Sequence, residues 1–178
     1  MVLLTRRVAA AVAGLGSAFL LVLPLAGGAA AAPAAPQTSG LQASLLAREA
    51  HFADRVLVLV NRKRVAHGLS RVRSNRCVNG FATGWAGHLA RRNLFEHSNL
   101  RTLIRRCEAP YVSENIAEVG PDVTPRHLVS LWMHSPEHRA NILSKRPTAT
   151  GVGIRWDDDQ QMWLAVQNFA RKPGSYKG

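Results

Sequence analysis

Acidic side chains are scarce in this sequence. Only 11 Asp and Glu residues stand against 23 Lys and Arg residues in a chain of 178, so the formal net charge is +12. Internal repeats are absent, which excludes a solenoid or another repeat architecture. A chain of this length without repeats is expected to form one domain that buries a substantial core.

Charged side chains are also missing between Arg7 and Arg48. The uncharged stretch follows a basic start, Arg6-Arg7, and contains the apolar run Val8–Ala26 and then a string of glycine and alanine residues. A basic segment, an apolar segment and small residues in that order predict a signal peptide over residues 1–31.

Cleavage is predicted after Ala30 or Ala31, because signal peptidase accepts small side chains and tolerates proline poorly just after the cut. The alternative is an uncleaved anchor, since a helix of about 20 apolar residues crosses a bilayer. No basic stop-transfer cluster follows the run, which favours cleavage and a mature chain without a stable membrane span. The absence of cysteine near the cut excludes lipid attachment there, and the arginine pair alone is a weak signal for twin-arginine export.

Removal of the leader takes away two arginines and no acidic residue, so the mature chain keeps a formal charge of +10 out of the original +12. A basic protein that is secreted, extracellular or associated with the cell wall meets anionic partners readily. Wall polymers, phospholipid headgroups, extracellular nucleic acid and acidic polysaccharide all qualify, and charge alone does not choose among them. Specific recognition of nucleic acid is not expected.

The chain has only two cysteines, Cys77 and Cys107, and they are 30 residues apart. In an exported chain such a pair predicts a disulfide rather than a metal site or a redox centre. In the chain-entropy account, a bridge closing a loop of this length stabilises the fold by about 3 to 4 kcal/mol. Several arginines form a cationic region around it: Arg91, Arg92, Arg101, Arg105 and Arg106.

Composition divides the rest of the chain. Residues 32–41 consist mainly of small and polar residues that build no core, which predicts a flexible linker. The folded domain is expected over residues 42–172, and residues 173–178 form a tail.

Hydrophobic periodicity predicts the first helices. Apolar residues recur at helical spacing over residues 42–67 and again from Ser74 or Asn75 to Asn93. Three glycines in the second helix are expected to let another element approach closely: Gly80, Gly84 and Gly87. Thr124-Pro125 and Ser135-Pro136 each pair a capping residue with proline at the first helical position, which predicts two further helices that begin at different angles.

The end of the domain alternates with a period of two. Residues 152–156 and 162–169 flank the turn Asp157-Asp158-Asp159, which predicts a β-hairpin. A further strand is expected over residues 112–117. Together these strands predict a small antiparallel sheet with helices on its faces.

Three segments combine polar, reactive side chains with apolar residues that would fix them at the ends of helices or strands. They are Phe95–Ser98, Ser113–Ala117 and Trp132–Leu143. In order and spacing they resemble the F-x-H, G-E-N-I and W-x-x-S-P-x-H-R-x-N-I-L motifs of the CAP superfamily. This superfamily comprises the SCP-like secreted domains of cysteine-rich secretory proteins, venom antigens and plant pathogenesis-related proteins. The resemblance covers about residues 52–170 and is strongest to the bacterial branch.

The resemblance implies an α+β fold, a three-layer α-β-α sandwich around a small, mostly antiparallel sheet. It also implies a cleft where two histidines and acidic residues meet. The matching positions are His97 and His138 for the histidines and Glu114 for the first acid. A second acid of many eukaryotic members corresponds to Ser135 here, which weakens the case for a complete four-residue site. Ser113 stands where the motif usually has glycine, a mild change that bears on the turn before Glu114.

Two neutral imidazoles can hold Zn²⁺ or another divalent cation while a carboxylate orients one ring or a bound water. His97 and His138 are therefore the candidate metal ligands, at an open site that water or a ligand would complete. The alternative is that both histidines and Glu114 form a buried hydrogen-bond network that fixes loops onto the helices. No catalytic residue is assigned.

The segment from His134 to His138 also matches the H-x-x-E-H pattern of the inverzincin proteases. That motif requires both histidines on one continuous helix. Pro136 costs about 3 kcal/mol in a helix interior. The two histidines are therefore predicted on different elements, and the protease assignment is rejected.

Two other hydrolase chemistries have weak support. A Ser-His-acid site would draw on the serines near the histidines, Ser98, Ser113 and Ser135, but no G-x-S-x-G turn accompanies them. Glycoside cleavage by Glu114 needs a second carboxylate across the bond. The candidates match no position of the family: Glu96, Glu118 and Glu137.

The favoured interpretation is a secreted CAP-domain protein that binds a lipid, an anionic wall component or a protein partner outside the cell. The alternative is a metal-dependent or acid-base hydrolase that uses His97, Glu114 and His138. The motifs specify a fold more closely than a reaction, because fold does not imply function.

Overall fold

The computed structural model describes residues 38–172. The predicted signal peptide, the first part of the predicted linker and the tail lie outside this range. The helices of the described part are α1 (Thr38–Ala66), α2 (Arg76–Arg92), α3 (Leu100–Cys107), α4 (Pro125–His134) and α5 (Pro136–Ile142). The strands are β1 (Arg73–Ser74), β2 (Tyr111–Val119), β3 (Ala149–Asp157) and β4 (Met162–Arg171). None of these helices has the length and apolar character that a bilayer crossing requires.

Helix α1 ends where the sequence predicted an end. The amide of Gly68 donates to Val65 O and that of Leu69 to Arg64 O, both at 3.0 Å. This bond pair is a Schellman motif, and it requires a left-handed residue, which glycine supplies here with φ of 71°. At its start the helix extends to Thr38 rather than Gln42, so residues 38–41 are helical although their composition predicted a linker.

Helix α2 begins at the capping residue that the sequence indicated. The side-chain oxygen of Asn75 accepts from the amides of Cys77 and Val78 at 3.1 and 3.2 Å. Asparagine at this position satisfies amides that have no partner within the helix. The side chain therefore fixes the start of the helix that contacts the sheet most extensively.

The four strands form one sheet in the order β1-β3-β4-β2. Strands β3 and β4 form the predicted hairpin, and β2 pairs antiparallel with β4, with Glu114 opposite Asn168. Strand β1 adds two residues in parallel to β3, with Arg73 opposite Ala149. The sheet is thus mostly antiparallel, as predicted.

Helices cover both faces of this sheet. Val152 and Ile154 of β3 pack into a core with residues of α1 and α4, including Val56 and Trp132. On β4, the residues whose side chains point to the other face of the sheet, such as Val166, pack into clusters with α2. Because successive side chains of a strand point to opposite faces, this division shows helix, sheet and helix as three layers. The α+β, three-layer fold is confirmed.

Close approach of α2 to the sheet depends on glycines of the strand. A Cβ on Gly151 would lie 2.4 Å from Asn79 N, and one on Gly153 would lie 2.3 Å from Ala82 O. By contrast, a Cβ on Gly80 or Gly84 would have no neighbour within 4 Å. The expectation that glycines of the helix permit the contact is therefore wrong for these two positions, because they do not face the sheet.

The predicted disulfide is present between Cys77 and Cys107, whose Cα atoms are 5.7 Å apart. It joins the first turn of α2 to the last residue of α3. The two cysteines are 30 residues apart in the sequence, and the segment between them includes the loop that holds His97 and Ser98. The bridge therefore closes the chain segment from which one side of the candidate site is built.

Candidate functional site

The centre of the candidate site is the carboxylate of Glu114 on β2. Its Oε1 accepts from His97 Nδ1 at 2.9 Å and from the Ser98 amide at 2.8 Å. Its Oε2 accepts from Ser98 Oγ at 2.6 Å and from Asn168 Nδ2 at 2.9 Å. A carboxylate has about four acceptor positions, so these donors occupy its hydrogen-bonding capacity.

This bonding makes Glu114 an anchor for the loop between α2 and α3. The carboxyl group is buried, with 1% of its side chain exposed, and it holds the loop through His97 and Ser98. Asn168 lies opposite it on β4, so the sheet register positions the fourth donor. Of the three residues expected in a hydrogen-bond network, the structure joins Glu114 to His97. Among the described residues the His138 side chain makes no hydrogen bond to Glu114, whose other partners are Ser98 and Asn168.

His97 is held by one ring nitrogen and presents the rest of the ring to solvent. Since a carboxylate oxygen only accepts, Nδ1 is the donor in its contact with Glu114, and Nε2 of a neutral ring is then an acceptor. The side chain is 60% exposed. The arrangement produces an oriented imidazole on the surface, which suits binding of a donor group or a cation.

His138 on α5 belongs to the same site. Burial lowers the pKa of His138, repulsion from the His97 ring in its protonated form lowers it further, and the Glu137 carboxylate acts in the opposite direction. His138 stands beside β2, because Asn115 Nδ2 on that strand donates to its backbone O at 3.2 Å. We call His97, Glu114 and His138 the histidine cluster.

A pH titration followed by NMR is expected to give His138 a pKa below its ordinary value of 6.5. The unfolded chain then binds this proton at a higher pH than the folded chain. The contribution of His138 to stability is therefore fully present above pH 6.5 and is lost as the pH falls through the folded-state value. His97→Ala should raise the pKa of His138 and Glu137→Ala should lower it. A pKa that is unchanged in both variants would contradict this account.

Two asparagines attach α5 to strand β2. Asn141 Nδ2 donates to Glu114 O at 3.0 Å and to Asn115 Oδ1 at 2.9 Å. Asn115 Nδ2 donates to His138 O at 3.2 Å. These bonds place His138 beside the strand that holds Glu114, which explains why the G-E-N-I-like and N-I-L segments occur together in one site.

The serines near the histidines do not form a nucleophilic site. Ser98 Oγ donates to Glu114, which directs its proton to a carboxylate rather than to a histidine. Ser113 Oγ is buried and has no hydrogen-bond partner among the described residues. Ser135 lies at the junction of α4 and α5, and its side chain makes no capping bond. The geometry gives no support to a Ser-His-acid hydrolase.

The H-x-x-E-H segment is divided between two helices, as predicted. Helix α4 ends at His134, and α5 begins at Pro136 after the extended residue Ser135. His134 Nδ1 lies 2.7 Å from Ser130 O within its own helix. His134 and His138 therefore do not share the continuous helix that the protease motif requires.

The residues present do not fit a catalytic zinc site. Such sites have three protein ligands and one open position. Within residues 38–172 no group of three or more His, Cys, Asp or Glu side chains is arranged to hold a metal ion. Glu114 is occupied by its four donors, which leaves His97 and His138 as the two candidate ligands.

The family assignment follows from comparison with known proteins. Residues 57–169 match the model of the cysteine-rich secretory protein family, CAP, which covers more than half of the chain and includes the whole histidine cluster. The chain belongs to the CAP family. The resemblance that the three motifs suggested is thereby confirmed, and the CAP domain contains the network described above.

Three similar proteins come from bacteria. The chain is 25% identical over 151 residues to the protein YkwD of Bacillus subtilis, a match that covers 81% of this chain and 56% of that protein. An extracellular protein of Bacillus anthracis containing an SCP domain has a TM-score of 0.58 at 25% identity, over 70% of this chain and 41% of that chain. A cysteine-rich secretory protein of Staphylococcus aureus also has a TM-score of 0.58, at 17% identity, over 70% of this chain and 39% of its own.

These relatives are longer than the shared region. The match spans about half of YkwD and about two fifths of each of the two solved chains. The comparisons therefore establish the CAP domain and its fold.

Proposed function

We propose that this CAP domain is exported and acts outside the cytoplasm as a binding module for a lipid, a wall component or a protein partner. One observation carries the proposal. The single acid of the histidine cluster, Glu114, is occupied by four hydrogen-bond donors, and it thereby fixes an exposed imidazole in one orientation. A preorganised polar surface favours binding because little conformational freedom is lost when a ligand is held.

Sequence features outside the described residues support export. The first 31 residues have the basic, apolar and small-residue order of a signal peptide. A net positive charge favours encounter with anionic envelope components. The B. anthracis relative is an extracellular protein, which agrees with a function outside the cytoplasm.

A binding assay tests the proposal directly. The chain without its predicted leader is mixed with purified cell wall, with vesicles of anionic phospholipid and with a panel of single lipids. We expect saturable binding at low micromolar protein to at least one of them, with no chemical change in the ligand. The His97→Ala/His138→Ala double variant should bind more weakly. Absence of binding to all three would exclude a lipid or wall ligand, and turnover of any ligand would contradict a binding module.

Zinc titration separates binding by the protein surface from binding through a metal. Zn²⁺ is titrated calorimetrically into metal-stripped protein, with His97→Ala and His138→Ala run in parallel. Two imidazoles without a third protein ligand are expected to give weak, non-saturating heats. Saturable one-to-one binding that is lost in both variants would instead make the histidine cluster a metal site and would require a screen for hydrolase activity.

A further inference from the structure

A basic pocket of about 790 Å³ lies elsewhere on the domain and shares no residue with the histidine cluster. It is formed by the turn after α1, strand β1, the loop before β3 and the end of β4. Seven Lys and Arg residues line it and no Asp or Glu does. Four of these cations define the feature that we call the basic pocket: Arg71, Arg73, Lys145 and Arg146.

The fold brings these cations together from two distant parts of the sequence. Strand β1 pairs in parallel with the start of β3, so that Arg73 lies opposite Ala149. The Arg73 amide also donates to Thr148 O at 3.1 Å. The turn that contains Arg71 is therefore held beside the loop that contains Lys145, and like charges are gathered although neighbouring cations repel each other.

A buried arginine fixes both walls of the pocket. Arg64 is 2% exposed and donates to Ser70 O at 2.9 Å, to Ile142 O at 2.7 Å and to Ser144 O at 2.8 Å. Burial lowers the pKa of Arg64, but guanidinium remains protonated in proteins. The same side chain thus joins the two loops and adds positive charge behind them.

A second side chain rigidifies the edge next to β1. Asn61 Nδ2 donates to Val72 O, and Asn61 Oδ1 accepts from the Val72 amide, both at 2.9 Å. Val72 stands between Arg71 and Arg73. The two arginines therefore flank a residue whose backbone is held by Asn61. A fixed backbone beneath the cations lowers the entropic cost of holding an anion.

We propose that the basic pocket binds the phosphate groups of an anionic polymer, taking more than one phosphate at a time. Guanidinium presents donors in a planar fork that matches phosphate oxygens, and lysine adds a point charge. The cations lie on two separate chain segments, the turn with strand β1 and the loop before β3, around a space larger than one phosphate requires. The pocket therefore suits successive phosphates of a chain. This second site goes beyond the histidine cluster and rests on the proposed function for its extracellular ligand.

The test compares two variants that lose the same charge. Arg71→Gln/Arg73→Gln/Lys145→Gln removes three exposed cations from the pocket. The control removes three exposed arginines of α3: Arg101→Gln/Arg105→Gln/Arg106→Gln. Inorganic tripolyphosphate and orthophosphate are titrated calorimetrically into each protein without its leader, and urea unfolding confirms that both variants are folded.

We expect tripolyphosphate to bind the parent protein and the α3 variant with similar affinity and the pocket variant about tenfold or more weakly. Orthophosphate should bind the parent protein much more weakly than tripolyphosphate. Equal weakening in both variants would show that net charge alone attracts the anion, which would overturn the proposal. Orthophosphate binding as tight as that of tripolyphosphate would also overturn it.

Two further arms separate this inference from the proposed function. Vesicles containing phosphatidic acid present the same phosphate chemistry on a lipid, and preference of the pocket for them over tripolyphosphate would contradict a polymer ligand. If cell wall or lipid binds the parent protein and tripolyphosphate does not, the pocket proposal fails while the binding module stands. If tripolyphosphate binds in the pocket and no wall or lipid preparation binds, the pocket proposal stands while the proposed binding of wall or lipid fails.

Discussion

Replacing Gly153 with alanine is expected to lower the free energy of unfolding by about 3 kcal/mol, because the sheet and α2 are in backbone contact there. The added Cβ would lie 2.3 Å from Ala82 O and 2.4 Å from Ala82 C. Both contacts are to main-chain atoms, so no side-chain rotation relieves them. Either α2 moves away from β3, which loosens the apolar clusters beneath it, or the strand bends.

Gly80→Ala is the matched control. Gly80 lies in α2, and a Cβ there would meet no atom within 4 Å. Alanine has the higher helix propensity, so this variant should be more stable than the parent by about 0.5 to 1 kcal/mol. Urea unfolding followed by circular dichroism measures both changes. Equal effects of the two substitutions would show that the backbone contact at Gly153 does not limit packing.

Elements with a clear period were predictable. The amphipathic pattern located α1 and α2, and alternation located the hairpin of β3 and β4, because these patterns reflect which face of an element is buried. The register of the strands was not predicted, but the packing explains it. Once one face of β4 must contact α1 and the other α2, a shift by one residue would place every side chain on the wrong face.

Helix α3 and strand β1 were not predicted, because both are too short to show a clear hydrophobic period. Helix α3 has only eight residues, and its arginines conceal the two buried positions, Leu103 and Cys107. An isolated helix of this length is marginal, so its stability comes from packing and from the disulfide rather than from propensity. Strand β1 has two residues, too few for any alternation to appear, and only its pairing with β3 defines it.

The candidate site was predicted as three residues, but the structure shows a larger network. Ser98 and Asn168 bond directly to Glu114, and the sequence contained a signal for the second of them. Asn168 lies in a strand of buried apolar residues, where a polar side chain needs a partner. The identity of that partner depends on the pairing of β2 with β4, which no local pattern reveals.

Replacing Glu114 with alanine is expected to lower the free energy of unfolding by about 4 kcal/mol, since four donors lose their acceptor at once. The Ser98 amide and hydroxyl and Asn168 Nδ2 belong to buried residues, so water does not readily replace the carboxylate. The loop from Asn93 to Asn99 should exchange its amide hydrogens faster in the folded protein, because its anchor to β2 is gone. Hydrogen exchange measured by NMR reports this change independently of global unfolding.

Two further variants identify the carboxylate as the cause. Glu114→Gln keeps one acceptor oxygen for Ser98 N and His97, so its cost should be about 2 kcal/mol, while Ser98 Oγ can rotate to accept from the new amide. Glu118→Ala removes an acid from the same strand at a partly exposed position, and a change within about 0.5 kcal/mol is expected. The loss of unfolding free energy should decrease from Glu114→Ala to Glu114→Gln to Glu118→Ala, because fewer donors are left without an acceptor at each step. Equal costs for Glu114→Ala and Glu118→Ala would mean that the network around Glu114 does not hold the loop on the sheet.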